Sequence, residues 1–61
     1  MENRLWYAVM ENRENDDWGT GSYDIAEAKR MCKDLGTDAY IAVIVEGNNP
    51  VCIEEINQDA F

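Results

Sequence analysis

The chain contains no histidine, only five lysines and arginines, one proline and two cysteines. Each shortage removes a class of chemistry. Without histidine there is no ordinary Ser-His or Cys-His nucleophile pair, and acid–base work would fall to carboxylates, lysines and tyrosines. A tetrahedral structural zinc site would need Cys32 and Cys52 together with two carboxylates, which is an uncommon set. Five cations stand against thirteen Asp and Glu, a formal net charge of -8 at pH 7. That balance weighs against direct binding to nucleic acid, because phosphate affinity comes largely from counterions displaced by Lys and Arg. There is no long apolar run either. The opening MENRLWYAVM has a short apolar stretch with Glu2 and Arg4 around it, which fits neither a signal peptide nor a membrane span. A cytoplasmic location follows as an expectation, with both thiols reduced and buried as small apolar residues.

What is present is enough for a folded chain. A hydrophobic content of 46% over 61 residues fits one small domain, 1–61, close to the lower limit at which a single apolar core supports folding. A deep cleft is not expected at this size, since small-molecule pockets usually need roughly 300 Å³ or more walled on several sides. Neither enzymatic activity, a cofactor nor a metal is therefore expected.

Leu5 to Met10 is short, aromatic and apolar and runs into the polar stretch from Glu11 to Asp17, so it is expected to be a strand entering a loop. Trp18 to Tyr23 is a second, weaker strand, which Gly19 and Gly21 mark as a bulged edge. Asp24 has the form of a helix N-cap, and Glu27 three positions on completes a capping box. Ile25, Ala28, Cys32 and Leu35 recur at helical spacing with Met31 beside them, Lys33 sits near the C-terminal end, and Gly36 is a natural stop. Tyr40 to Val45 is too rich in β-branched residues for a helix and is a strand. Gly47 to Pro50 is a turn, and Val51 to Ile56 is the returning strand of a hairpin. Residues 57–61 are expected to be a loosely held tail. The predicted fold is α+β, in the order β-β-α-β-β, with a four-stranded sheet and one helix packed on one face. A crossover through the helix is expected to set the first strand parallel to the third at the centre of a mixed sheet, with the other two outside.

The stretch DDWGTGSYD, Asp16 to Asp24, places two glycines just before a helix, as phosphate-gripping loops do. It lacks the third glycine of a dinucleotide fingerprint, where Asp24 stands, and the lysine of a P-loop. Carboxylates already surround the helix start, so an anion site there is taken, and the glycines are expected only to turn the chain. The acidic run Glu11 to Asp17 is oxygen-rich but misses the EF-hand spacing and is read as a solvated loop.

One helix covers one side of a sheet, yet the two central strands are apolar on both. Alternation separates Leu5, Tyr7, Val9, Ile41, Val43 and Val45 from Trp6, Ala8, Met10, Tyr40, Ala42 and Ile44. With the helix on the first set, Trp6, Met10, Tyr40 and Ile44 are expected to face outward with Trp18 nearby, on a surface rich in the residues that interfaces favour. Covering by the loop or the tail is the competing arrangement. Glu11, Glu14, Asp16, Asp17, Glu54 and Glu55 are the candidate contact carboxylates.

Trp6-Tyr7-Ala8-Val9, an acidic loop, then Gly21-Ser22-Tyr23-Asp24 leading into Ile25-Ala26-Glu27-Ala28 resembles the amino-terminal half of HicB-type antitoxins, which also run strand, acid-rich turn, acid-capped helix. The likeness spans about half of the chain and lacks that family's proline-containing stretch before the helix. Together these features point to a non-enzymatic acidic module that docks on the basic surface of a nucleic-acid-handling protein, as small nuclease inhibitors and phage-encoded anti-defence proteins do. The alternative is a homodimeric structural or regulatory protein, paired through the open sheet face.

Overall fold

The computed structural model describes residues 4–14 and 17–61. Strand β1 spans Leu5–Met10, β2 Gly21–Ser22, helix α1 Ile25–Leu35, β3 Tyr40–Val45 and β4 Val51–Asn57; a short 3₁₀ turn, Gln58–Ala60, closes the chain. The strands form one sheet in the order β2-β1-β3-β4.

Every neighbouring pair is antiparallel, which corrects the expected mixed sheet. The reason lies in the hairpin. β1 is antiparallel to β2 on one side and to β3 on the other, so β2 and β3 run parallel to each other with β1 between them. The helix is thus the crossover from β2 to β3, passing over β1. A crossover does join two parallel strands here, but the first of them is β2.

β2 is shorter than its sequence promises, two residues in place of the stretch from Trp18 to Tyr23. Gly21 explains why it can approach at all. A Cβ at that position would lie 2.2 Å from the Tyr7 carbonyl oxygen and 2.9 Å from Ala8 Cα, both backbone atoms of β1. The glycine between Thr20 and Ser22 therefore serves close strand pairing, and Val9 N–H donates to the Thr20 carbonyl at 2.8 Å beside it.

Helix α1 begins as its sequence requires, with one change. The Asp24 carboxylate accepts from Ala26 N–H at 3.0 Å, capping the first turn. Asp24 N–H, however, donates to Ser22 Oγ at 3.0 Å, so serine takes the part expected of Glu27. At the other end Gly36 adopts φ +139° with ψ 179°, a region open to glycine alone. Gln58 Nε2 donates to the carbonyls of Gly36 and Ala39, tying the helix exit to the chain's end.

The helix packs on the aliphatic set. Ala28 and Cys32 meet Val9, Ile41, Val43 and Ala39, with Tyr7, Met31, Ile56 and Phe61 partly buried around them. Burial pushes the Cys32 thiol pKa up, opposed by a hydrogen bond from Gln58. Cys52 departs from expectation, being free but exposed. It sits on the outermost strand opposite Ile44, where no further strand covers it. Of residues 57–61, expected as a loose tail, Asn57 ends β4, Gln58 and Phe61 are half-buried, and Asn57, Asp59 and Ala60 are exposed. Phe61 joins the helix-side core and Lys29 lies over its ring at 5.5 Å.

Gly21→Ala is expected to destabilise the fold by about 1–3 kcal/mol, because the added methyl meets backbone that cannot rotate away. Urea unfolding checks this; a change within about 0.5 kcal/mol, the range of neutral surface substitutions, would show that β2 does not need the close approach.

Candidate functional site

The second sheet face carries its own core of Ala8, Met10, Tyr40, Ala42 and Ile44, all buried, with Trp6 and Trp18 packed against it. Met10 is 3% exposed, Tyr40 5% and Ile44 2% within the single chain. This overturns the expected open face. The cover is the loop between β1 and β2, which leaves the sheet at Met10 and crosses toward β4. Arg13 lies with its guanidinium carbon 4.1 Å from the Tyr40 ring centroid, pairs with Glu55, and donates from Nη2 to Asn57 Oδ1 at 3.1 Å. The chain then returns through an Asx turn, with Gly19 N–H donating to Asp17 Oδ1 at 2.8 Å. Trp18 is laid against the sheet there, and Trp6 Nε1 donates to its carbonyl at 2.7 Å. The face-to-face homodimer thus loses the surface on which it was expected to form.

The ion pair alone does not hold this cover. It is exposed on both sides, and exposed pairs contribute little. Burying Met10, Tyr40 and Ile44 is worth roughly 1.5–3 kcal/mol for each large side chain, so apolar burial dominates and Arg13 fixes where the loop lies.

Cover is incomplete at the Trp6 end. An open surface recess of about 320 Å³ lies between Trp6, Trp18, Tyr23, Ile44, Glu46 and Pro50. Trp6 and Tyr23 meet edge to face, with centroids 4.7 Å apart and planes at 72°, a favoured aromatic geometry. Tyr23 O–H reaches both oxygens of the Glu46 carboxylate at 2.9 Å. The Arg4 guanidinium carbon lies 4.0 Å from the Tyr23 centroid, and Glu46 N–H donates to the Arg4 carbonyl at 3.0 Å.

The predicted contact residues therefore separate. Met10, Tyr40 and Ile44 are core, Ile44 also flooring the recess; Trp6 and Trp18 are half-buried walls of it. Glu11, Glu14, Asp17, Glu54 and Glu55 are exposed, but on different elements. Glu11 and Glu14 lie on the loop, Glu54 and Glu55 on β4, and Arg13 joins the two groups through Glu55. Asp16 lies outside the described residues. Sequence reading missed Arg13, Tyr23 and Glu46. Arg13 had a signal, as the one cation in the run Glu11 to Asp17; Tyr23 and Glu46 are brought together only by the fold.

β4 presents a second feature. It is an outer strand whose Val51, Cys52, Ile53, Glu54 and Glu55 are all exposed. Its register shifts between Val43 and Ile44, leaving Ile53 unpaired in a bulge. Val51 at 51% and Ile53 at 58% exposure precede Glu54 and Glu55 along an open edge.

Searches against protein-family models, curated proteins and solved structures find no match. The likeness to antitoxins gains no support from them.

Hydrogen bonding to Glu46 holds the Tyr23 phenol above its ordinary range, with burial and the carboxylate's charge adding and Arg4 opposing. A raised acid pKa means the fold favours the protonated phenol. This stabilisation is fully present below the unfolded tyrosine value of about 10 and is lost as pH rises through the higher folded value. In an absorbance titration of the three tyrosines, one should ionise later in the parent than in Glu46→Gln; superimposable curves would contradict the pairing.

Proposed function

We propose that the chain is a non-enzymatic acidic interaction module that docks on a basic protein surface, with a nucleic-acid-handling protein as the partner class and inhibition as the consequence. The observation that carries the reading is how the two signs of charge are disposed. Of thirteen carboxylates, Glu2 and Asp16 lie outside the described residues; of the remaining eleven, ten are exposed and Glu46 is half-buried. Three of the five cations lie over the protein's own rings, Arg4 on Tyr23, Arg13 on Tyr40 and Lys29 on Phe61. Ten exposed carboxylates against five cations leave the outward field strongly acidic. Such a field speeds encounter with a basic surface and repels nucleic acid.

The β4 edge is the place where contact surface and charge coincide. Val51 and Ile53 supply exposed apolar area, Glu54 and Glu55 supply charge, and the strand's outer backbone groups are open to a partner. Among the described residues no helix is long and apolar enough to cross a membrane, and the proposed setting is the cytoplasm.

Immobilised protein should retain a basic nucleic-acid-handling protein from host lysate at about 50 mM salt and release it near 500 mM, where charge screening shortens to a few ångströms. The double change Ile53→Lys, Glu54→Lys, which leaves the Arg13–Glu55 pair in place, should abolish retention with the melting temperature held. Retention of nucleic acid in place of protein, or capture indifferent to both salt and the double change, would refute the reading.

A further inference from the structure

We propose that the aromatic recess receives an arginine side chain from the basic partner, its guanidinium lying against Trp6 or Trp18 and pairing with Glu46. This rests on the reading of a basic partner given above and names the group that partner inserts. Three observations lead to it.

The first is the lining. Two indoles, a phenol and Ile44 line an open, largely apolar recess of about 320 Å³ that Glu46 also lines. A planar, weakly hydrated guanidinium stacks on aromatic faces and still offers donors at its edge, whereas an ammonium is a compact, strongly hydrated charge that loses more on entering. An uncharged apolar ligand would fill the recess but leave the carboxylate desolvated without a cation beside it.

The second is the state of Glu46. Its carboxylate accepts from the Tyr23 hydroxyl, and among the described residues no Lys or Arg lies within ion-pair distance of it. Two carboxylate oxygens hold about four acceptor sites, so one phenol leaves room for a guanidinium edge.

The third is a precedent inside the same molecule. At the opposite end of this sheet face Arg13 lies over Tyr40 and is held by Glu55 and Asn57. Ring, carboxylate and guanidinium are all present there. The recess repeats the ring and the carboxylate. Arg4, resting over Tyr23 at 4.0 Å, shows that a ring of the recess also takes a guanidinium, while making no ion pair with Glu46. The half-buried indoles and the unpaired carboxylate are what an incoming arginine completes.

Both tryptophans of the chain line the recess, so intrinsic fluorescence reports on this site. The test titrates the intact protein with the capped tripeptide Gly-Arg-Gly and with its citrulline and lysine counterparts. It follows tryptophan emission and the indole N–H resonances. The arginine peptide should give a saturable change, with shifts centred on Trp6 and Trp18, and the uncharged citrulline peptide should bind about tenfold more weakly. Glu46→Gln should weaken the arginine peptide about fivefold or more. Tyr23→Phe keeps the ring and the carboxylate and should bind nearly as the parent does. No saturable change, equal binding of the citrulline peptide, or equal losses in Glu46→Gln and Tyr23→Phe would overturn the proposal, the last because it would make Glu46 a prop for Tyr23. Peptide binding with no lysate capture would remove the functional reading and leave the recess; capture with silent tryptophans would do the reverse.

Discussion

The fold depends on how the second sheet face is kept from water. A helix of eleven residues shelters one side of a four-stranded sheet, and β1 and β3 are apolar on both. The loop between β1 and β2 supplies the other shelter. It has almost no apolar residues of its own, so it does this with two side chains placed by polar contacts. Trp18 is set against the sheet by an Asx turn and by the indole of Trp6, and Arg13 lays its guanidinium over Tyr40. Arginine suits the second task because its stem and planar head cover apolar surface while its edge remains bonded to Glu55 and Asn57. A chain near the lower size limit thereby gains a second small core without a second helix.

The same economy shapes the surface. Three cations lie over aromatic rings, Arg13 among them also paired with Glu55, and the acidic excess faces solvent. Where the loop's cover ends, at Trp6, Arg4 lies over Tyr23, while among the described residues the two indoles have no guanidinium over them and Glu46 has no ion pair.

The sequence announced the elements that rest on local physics. The helix over Ile25–Leu35 follows from its spacing, the Asp24 cap and the Gly36 stop, and β3 follows from β-branched residues. The outer positions of β2 and β4 were legible too. What was not legible depends on placement in three dimensions. Strand direction turned on which strand enters the crossover, and periodicity does not encode that. β2 is only Gly21–Ser22, and its glycine serves the close approach to the β1 backbone, which a composition rule registers only as weakness. The tail is held where Phe61 and Gln58 meet the helix side and helix exit. The candidate site divided for a similar reason: alternation correctly put Trp6, Met10, Tyr40 and Ile44 on one face, yet whether that face is bare depends on where a polar loop falls. Tyr23 and Glu46, 23 positions apart, could not be paired from sequence at all.

Hydroxyl-radical footprinting of the dilute, isolated chain, read residue by residue by mass spectrometry with sedimentation confirming a monomer, tests the self-covered face most directly. Met10 and Tyr40 should be protected while Tyr23 and Ile53 are modified. Should Met10 and Tyr40 in the monomer react as readily as Tyr23, the loop does not shelter the face and the sheet needs a second chain to do so.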